Sequence, residues 1–405
     1  MESRLTNSSP DLPATFNPLA GDQLENPFPV YAAARESLPV FFSPAYRMWV
    51  VTRYEDVRFV TDRPDLFSSK DSINPIVEFC PEAYGVLATG FPPTAVLVNS
   101  DPPDHERWRR AIRGSFSGPR MRRLEPEVRE LASARIDRLK PAGKAEIMED
   151  LAYPIPLQVI ARLFGLGDER LDDLKRWSFS FISLISSALD CDRQVKAAND
   201  LVEFQHFMKY QMDLRRSNPG EDIISELLHA GGEQRFTDGE LVYQLTGLLL
   251  AGHETTTNFI GKALFLLLSE PDRWGALVRS PSLVPQAVEE ALRYDTSVPT
   301  FLRTATTDIG LAGQSIKGGD RVLVVYGSAN RDSSIFEEPD TFDLHRSFDR
   351  PHMGFGHGIH YCVGAPLARM QSRVVLETLV DRLPGLRLAQ GQEFHHVPTL
   401  IFRGL

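Results

Sequence analysis

The sequence is poor in cysteine, has no long apolar run and carries no excess of basic residues. Its three cysteines, Cys80, Cys191 and Cys362, are odd in number and far apart, so the sequence predicts no disulfide framework and a reducing, cytoplasmic environment. The polar N-terminus lacks the apolar core of a signal peptide, and no segment resembles a membrane anchor. We therefore expect a protein that does not bind a membrane.

The charge balance also limits the class of partner. The chain has 44 basic and 54 acidic residues, a formal net charge of −10 at pH 7. Arginines are concentrated only in ERWRRAIRGSFSGPRMRR, residues 106–123, which holds seven of them but few aromatic residues. Such a run is more typical of a solvated helix face, or of a docking surface for an acidic protein, than of a nucleic-acid site. We expect no nucleic-acid partner.

The hydrophobic patterns predict a mainly α protein with a smaller β-sheet region, an α+β fold. No repeat and no Gly/Ser-rich linker divides the chain, so we expect residues 1–405 to form a single domain. The helix-rich parts cover about residues 104–297 and 362–384, and the strand-rich parts about 26–70, 298–350 and 385–405.

One predicted helix is unusually long. Thr237 and Glu240 form a T-x-x-E capping box at its start, and Glu270-Pro271 ends it. Its middle, LLLAGHETTTN, combines a glycine with three threonines, which are poor helix formers. This weak sequence at the centre of the longest helix predicts a local opening there.

The stretch FGHGIHYCVG, residues 355–364, raises the question of what its glycines and Cys362 do. It is not a dinucleotide loop, because Ile359 stands where G-x-G-x-x-G requires glycine, and no G-K-[ST] follows. The HETTT segment similarly lacks the second histidine of the metalloprotease motif H-E-x-x-H. A zinc site made by His357, His360 and Cys362, with His352 or a distant fourth ligand, has an unusual spacing and stays an alternative.

A single thiolate bound to haem iron explains more of this stretch. Cys362 precedes the final predicted helix, whose N-terminus favours an anionic thiolate. The glycines allow the loop to lie flat against a porphyrin and to direct N–H groups at the sulfur, and Phe355 would shield the ligand from water. This interpretation accounts for the glycines, the aromatic residue and the cysteine together.

FGHGIHYCVG followed by APLAR resembles the haem-binding signature of the cytochrome P-450 superfamily. Further segments resemble the same family in its order along the chain, namely DPPDHERWRR, AGHETT, EALR, FLRTAT, GSANRD and FDLHR. The match is closest to soluble bacterial members. The resemblance implies the cytochrome P-450 fold, with the long central helix over haem b, the cysteine loop beneath it, and Cys362 as the axial ligand of the iron.

The resemblance also assigns roles to individual residues. Propionate contacts are implied for His105, Arg109, Arg303 and His360, whose donor groups suit two carboxylates. Ala251 and Gly252 would leave room for oxygen above the iron. The other residues implied at the cofactor are Phe355, Gly356 and Gly364, and the residues implied in a buried charge network that braces the haem-side core are Glu290, Arg293 and Arg346.

Catalytic and substrate-binding roles follow from the same resemblance. Thr255 would bond back to the Ala251 carbonyl or donate to dioxygen, and Glu254 would pass protons from water. The residues expected to line the substrate pocket are Leu250, Ala251, Pro299 and Phe301, with parts of 73–98 and 179–187. One departure is Gln371, where the family usually has glutamate.

The implied function is a haem-thiolate monooxygenase. It would insert one atom of O2 into a small to medium, largely apolar organic substrate by hydroxylation, epoxidation or O-dealkylation. These residues contain no flavin or iron–sulfur module, so electrons from NAD(P)H would come through a separate ferredoxin or flavodoxin-like donor with its reductase. The alternatives are a peroxide-driven haem enzyme and a non-catalytic haem-binding sensor. The Glu254–Thr255 pair argues against both, because neither needs a proton relay.

Overall fold

Helices dominate the structure, a computed structural model that describes residues 11–230 and 236–404. In these parts of the chain there are sixteen α-helices. Before the long central helix come α1 Leu12–Thr15, α2 Gly21–Glu25, α3 Phe28–Ser37, α4 Tyr54–Asp62, α5 Pro81–Leu87, α6 Asp104–Ile112, α7 Gly118–Leu139, α8 Pro154–Leu163, α9 Leu171–Ser186, α10 Cys191–Ser217 and α11 Ile223–His229. The remaining helices are α12 Asp238–Leu268, α13 Pro271–Arg279, α14 Val284–Tyr294, α15 Tyr326–Ala329 and α16 Ala365–Arg382.

Two small sheets complete the fold. The strands are β1 Val40–Ser43, β2 Met48–Val51, β3 Phe67–Ser68, β4 Thr300–Ala305, β5 Ile309–Leu311, β6 Gln314–Ile316 and β7 Arg321–Val325. The larger sheet has the order β1-β2-β7-β4-β3, and β5 pairs with β6 separately. Only β2 and β7 run parallel, with Trp49 opposite Val322. The sheet therefore joins the first strands of the chain to a strand about 270 residues later.

Helix α12 begins and ends where the sequence predicts. The Thr237 side chain accepts a hydrogen bond from the Glu240 backbone N–H at 3.2 Å, and the Glu240 carboxylate accepts one from the Thr237 N–H at 2.7 Å, which confirms the capping box. The predicted opening at its centre is wrong, because the helix continues without a break. The Thr255 hydroxyl donates to the Ala251 carbonyl at 3.1 Å within the helix, a bond that needs no opening of the backbone.

The main hydrophobic core surrounds α12. Leu245, Leu249 and Ile260 of this helix are almost fully buried, and they belong to one cluster with residues of α7, α8, α14 and α16. A second cluster fills the space between the larger sheet and α4. The helix-rich and strand-rich regions thus pack around separate cores, and the chain segments before and after α16 connect them.

The predicted strands of residues 385–405 are wrong for the described part, because residues 385–404 contain no strand. Pro398 removes a donor there, and the Val397 N–H reaches the Gly404 carbonyl only at 3.4 Å. This segment is instead attached through Arg403, which bonds to Asp295 and to backbone carbonyls of the N-terminal region.

The cysteine prediction is also wrong, because Cys80 and Cys191 form a disulfide. The two residues are 111 positions apart in sequence, but their Cα atoms lie 5.7 Å apart. Separation along the chain carries no information about distance across the fold, which explains the error. Cys362 remains the free cysteine.

Among the helices of the described residues, none is long and apolar enough to cross a membrane.

Candidate functional site

The loop before α16 takes its shape from glycine. Gly356 and Gly358 both have φ near 72°, a left-handed conformation that other residues adopt at a cost. A Cβ atom on Gly358 would lie 2.2 Å from the carbonyl oxygen of Thr61 in α4. The loop closes on itself where the Cys362 N–H donates to the Phe355 carbonyl at 3.0 Å. The glycines are therefore needed for the turn and for close contact with α4.

Cys362 lies at the end of this loop, three residues before α16. Burial raises the pKa of its thiol, outweighing the Gly364 and Ala365 backbone N–H groups and the Arg109 guanidinium, which lower it. The residue is nevertheless exposed. Protein atoms surround this thiol closely, yet part of its surface is still accessible. Such a group lines a space inside the protein. The thiol is thus available to a ligand inside the protein rather than at its outer surface.

Four donor residues implied at the propionates come together from three separate segments. The rings of His105 on α6 and His360 in the cysteine loop are 4.4 Å apart, and Arg303 on β4 and Arg109 act on both histidines. Burial and these cations lower the pKa of His360 to about 2 and lower that of His105 as well. Both imidazoles are therefore neutral, and the cluster is positively charged through its arginines.

This cluster has donor groups without acceptors. His105 Nε2 is buried with no hydrogen-bond partner among the described residues. Arg303 is almost fully buried, donates to the Leu302 carbonyl at 2.7 Å and lies against Tyr326, but no carboxylate in the described part of the chain pairs with it. A buried cation without a counter-ion is costly. Two anionic propionates would satisfy these groups, so the residues present fit haem.

Glu290, Arg293 and Arg346 form the buried network that the resemblance implies. The Glu290 carboxylate accepts hydrogen bonds from Arg293 at 2.7 and 2.8 Å and from Arg346 Nε at 3.1 Å to each oxygen. The remaining N–H groups of both arginines donate to backbone carbonyls of residues 330–341. The network joins α14 to the long connection that precedes the cysteine loop.

A second network, which no sequence pattern indicated, also supports this loop. Glu289 on α14 accepts from Arg369 of α16 at 2.7 and 2.9 Å, and Arg369 also donates to the Tyr361 hydroxyl at 2.9 Å. His352 Nε2 lies 3.1 Å from Glu289, and its Nδ1 accepts from the Gly354 N–H at 3.0 Å. These bonds hold Tyr361, which directly precedes Cys362, and His352, which lies at the start of the loop, to α14.

The zinc alternative is wrong. His352 pairs with Glu289, His357 lies 3.0 Å from Asp62, and His360 Nε2 lies 2.9 Å from the Ser69 hydroxyl. The three histidines therefore face different partners. In the described residues the one group of three potential metal ligands is Cys80, Glu82 and Cys191, and its two cysteines are bonded to each other.

Ala251 and Thr255 share one face of α12. Ala251 is exposed although its neighbours Leu250 and His253 are buried, so this face also borders accessible space. Gly252 does not share it. A Cβ atom on Gly252 would lie 2.6 Å from Cδ1 of Ile160 in α8. This glycine permits close packing of α12 against α8, and the role implied for it beside the oxygen stays a prediction.

The Glu254 side chain on α12 is directed towards His253 and towards Tyr153, the residue that precedes α8. Its Oε2 atom lies 3.8 Å from His253 Nδ1 and beside the Tyr153 hydroxyl, yet it is buried without a hydrogen-bond partner in the described residues, as is that hydroxyl. Burial raises the pKa of Glu254, against the opposing effect of Tyr153, Lys175 and Asn258. His253 is fully buried, which lowers its pKa to about 3 and keeps it neutral. No sequence signal indicated Tyr153.

The other residues predicted at the site lie in different surroundings. Leu250 belongs to an apolar cluster with residues of α9 and α10, Pro299 is buried against Gly327, and Phe301 lies 5.5 Å from the Arg303 guanidinium. A Cβ atom on Gly364 would lie 3.8 Å from the Cys362 sulfur. Gln371, the departure from the family pattern, is fully buried, and neither atom of its amide has a partner in the described residues.

Comparisons with known proteins agree with this arrangement. The family model for Cytochrome P450 matches residues 156–277 and 281–385, more than half of the chain. Cytochrome P450 107B1 of Saccharopolyspora erythraea is 36% identical over 346 residues, covering 84% of this chain and 83% of the relative. Vitamin D(3) 25-hydroxylase of Pseudonocardia autotrophica is 36% identical over 393 residues, covering 95% of this chain and 94% of the relative.

Solved structures agree as well. Cytochrome P450 CREJ, in complex with (4-ethylphenyl) dihydrogen phosphate, matches with a TM-score of 0.92 and 34% identity, covering 97% of this chain and 98% of its own. The predicted fold and the predicted haem b cofactor are confirmed, since members of this family bind protoporphyrin IX through a cysteine thiolate. The chain belongs to the cytochrome P450 family and is a haem monooxygenase.

Proposed function

We propose that Cys362 supplies the thiolate that holds the haem iron and that the substrate is a small to medium, largely apolar organic molecule. The observation that carries the proposal is the position of Cys362, the cysteine outside the disulfide, in a glycine-shaped loop with its thiol open to an internal space. When bound, haem supplies the activation of dioxygen and the insertion of one oxygen atom.

The protein's own residues bind and orient the cofactor in this proposal. The N–H groups of Gly364 and Ala365 act on the Cys362 sulfur and favour its thiolate. His105, Arg109, Arg303 and His360 hold the propionates, because none of the four pairs with a carboxylate of the described residues and because His105 and Arg303 are almost fully buried. Glu289 and Arg369 keep the loop in place through Tyr361.

Proton delivery is assigned to α12. The Thr255 hydroxyl stands beside the accessible surface at Ala251 and holds a proton it can donate towards the reacting oxygen. Glu254, one residue earlier, has a raised pKa and an Oε2 atom without a hydrogen-bond partner in the described residues, so we assign it the role of passing protons to Thr255. Because Glu254 is directed towards Tyr153, its carboxyl group must rotate to reach the Thr255 side.

The substrate class follows from the apolar cluster next to Ala251. Leu250 packs there with Phe181, Ile182, Ile185 and Leu201, and Phe79 and Leu87 cover the cluster from the other side. Such a lining favours apolar ligands, with specificity left to a few polar groups. The name of one relative supports this choice, since that relative is a vitamin D(3) 25-hydroxylase.

Electrons are proposed to come from a separate acidic protein, a ferredoxin or flavodoxin-like donor with its reductase. The structure divides the seven arginines of residues 107–123. Arg107 pairs with Glu240, Arg120 pairs with Glu226 and Arg109 turns to the cysteine loop. The arginines that stay exposed on this side are Arg110, Arg113, Arg122 and Arg123. They lie on α6, directly after it and at the start of α7, so they form a basic surface that includes the exposed side of the haem-binding helix.

The test is replacement of the proposed ligand. The wild-type protein, reduced and exposed to carbon monoxide, should show the red-shifted Soret band of thiolate-ligated haem, and metal analysis should find iron without stoichiometric zinc. Cys362→Ala should lose this band, whereas the control Cys80→Ser/Cys191→Ser should keep it. A Cys362→Ala protein that retains the band would refute the assignment. Turnover with peroxide but not with dioxygen and electrons would favour a peroxide-driven enzyme.

A further inference from the structure

The connection between β3 and α6, residues 69–103, is long and contains only one short α-helix, α5. We call it the cover segment. Its two ends are held together, because Asp101 accepts hydrogen bonds from the Ser68 hydroxyl at 2.5 Å and from the Ser69 N–H at 2.8 Å. Ser69 also contacts His360 of the cysteine loop. The cover segment is therefore a closed loop whose base adjoins the haem-binding residues.

The middle of the cover segment is attached to α10. Gln194 accepts from the Cys80 N–H at 2.7 Å, and Gln205 accepts from the Phe91 N–H at 2.8 Å and donates to the Phe91 carbonyl at 3.2 Å. Both glutamines are buried, so these bonds are shielded from water. The Cys80–Cys191 disulfide is the covalent bond in this attachment, since Cys191 is the first residue of α10.

The attached part covers the apolar cluster beside the site. Phe79 and Leu87 pack against a cluster that includes Phe181 of α9 and Leu250 of α12. Leu250 immediately precedes Ala251, where α12 borders accessible space. A ligand that reaches Ala251 from this side has to pass between the cover segment and the α9–α10 region. The disulfide joins these two regions.

We propose that the Cys80–Cys191 pair is a redox-responsive tether that controls how fast an apolar ligand reaches the region beside Ala251. The inference rests on the proposed function for the identity of that region as the substrate pocket. A dithiol reductant transfers two electrons and two protons to the bond, the S–S bond breaks, two thiols form, and the reductant is oxidised to its own disulfide. The reverse exchange with an oxidised partner restores the tether.

Reduction removes the covalent bond and leaves the other contacts in place. The glutamine hydrogen bonds and the packing of Phe79 and Leu87 still favour the closed position, so the cover segment opens locally instead of detaching for good. A disulfide constrains chain opening strongly, and its loss increases the population of open states. Faster opening shortens the time a ligand waits for access.

The first experiment measures the tether without using haem chemistry. Alkylation and mass spectrometry of the holoenzyme isolated without reductant should find Cys80 and Cys191 protected, and both should react after dithiothreitol. Amide hydrogen exchange in residues 78–91 should then accelerate by about tenfold or more, with α16 unchanged. Free Cys80 and Cys191 before reduction, or unchanged exchange after it, would overturn the proposal.

The second experiment measures ligand access. Stopped-flow binding of 4-phenylimidazole, an apolar ligand of haem iron, should be about threefold to tenfold faster after reduction. Cys80→Ser/Cys191→Ser should bind at the fast rate with or without dithiothreitol, which separates the tether from any effect of the reductant on Cys362. Faster exchange with an unchanged binding rate would show that the tether does not control access. Loss of thiolate-ligated haem would refute the proposed function. The alkylation and hydrogen-exchange measurements would still show whether the Cys80–Cys191 disulfide restrains the cover segment.

Discussion

At the scale of single residues, the hydroxyl of Thr255 is separable from the stability of its helix. Among the described residues it bonds only to the Ala251 carbonyl within α12, and alanine is the better helix former. We expect Thr255→Ala to fold and to bind haem and substrate, but to divert reducing equivalents to peroxide or water. Acid–base participation contributes on the order of 10²–10⁴ in rate, so the product formed per NAD(P)H should fall sharply.

The matched control for this variant is Thr257→Val. Thr257 is almost fully buried two residues further on, and its hydroxyl has no hydrogen-bond partner in the described residues. Its replacement removes a hydroxyl from the same helix without touching the Ala251 face, so coupling should stay at the wild-type value. Equal product yields from Thr255→Ala and the wild type would exclude the proton-donor role.

Residues with local signals were predictable, and residues whose meaning depends on distant neighbours were less so. Glu290 and Arg293 stand one helical turn apart, so spacing alone places them together. His105, Arg303 and His360 come from three segments, and only the family resemblance joined them in advance. The Cys80–Cys191 pair and the contact of Gly252 with Ile160 required the fold itself, because nothing along the chain encodes them.

At the scale of elements, two glycines of α12 should respond oppositely to the same substitution. A Cβ atom on Gly252 would meet buried Ile160 of α8, whereas one on Gly247 would meet nothing within 4 Å. Gly252→Ala should therefore destabilise by about 1–3 kcal/mol through overpacking. Gly247→Ala should stabilise by about 0.5–1 kcal/mol, because alanine restricts the unfolded chain and favours helix. Chemical denaturation measures both, and the opposite order would contradict the α12–α8 contact.

The bridge between α14 and α16 should make stability depend on acid pH. Burial alone would raise the pKa of Glu289, but the hydrogen bonds from His352 and Arg369 together outweigh burial and lower the pKa to about 2. The carboxylate therefore stabilises the fold above its ordinary pKa of about 4.5, and this contribution is lost as the pH falls towards 2. Between about pH 5 and about pH 3 the wild type should lose on the order of 1–2 kcal/mol more unfolding free energy than Glu289→Gln. Parallel pH profiles would rule out this role.

Elements with strong local signals were predicted well. The capping box and the Glu270-Pro271 stop define α12 because each acts within a few residues. The strands predicted near the C-terminus failed for the opposite reason. A strand exists only where a neighbouring strand offers a ladder of hydrogen bonds, and the backbone near Val397 instead bonds within its own segment, from Val397 to Gly404 and from Thr399 to Val397.

At the scale of the whole molecule, charge is distributed so that a basic surface stands out from an acidic protein. The net charge is −10, yet Arg110 is exposed on the helix that carries His105 and Arg109, and Arg113 is exposed directly after that helix. We expect Arg110→Glu and Arg113→Glu to slow reduction by an acidic electron donor roughly threefold to tenfold, with substrate affinity nearly unchanged. Stopped-flow reduction at several ionic strengths checks this, since salt should weaken the wild-type association.

Arg138→Glu provides the control for net charge. Arg138 is exposed near the far end of α7, a helix about 33 Å long, so it carries the same charge change away from the basic surface. Its reduction rate should match that of the wild type. If all three variants slow reduction equally, the effect comes from total charge and the docking surface lies elsewhere.

The strand order of the larger sheet has a consequence for synthesis of the protein. Strand β2 cannot pair with β7 until the ribosome has made residues 321–325, some 270 residues later. At about 5–20 residues per second this delay is roughly 14–55 s. During that time VFFS and MWVV can pair with each other, but the second edge of MWVV has no neighbour, and such an unpaired edge invites association between nascent chains. We expect overexpression at reduced temperature, or with added chaperone capacity, to raise the yield of folded protein by protecting these two early strands until the last third of the chain arrives.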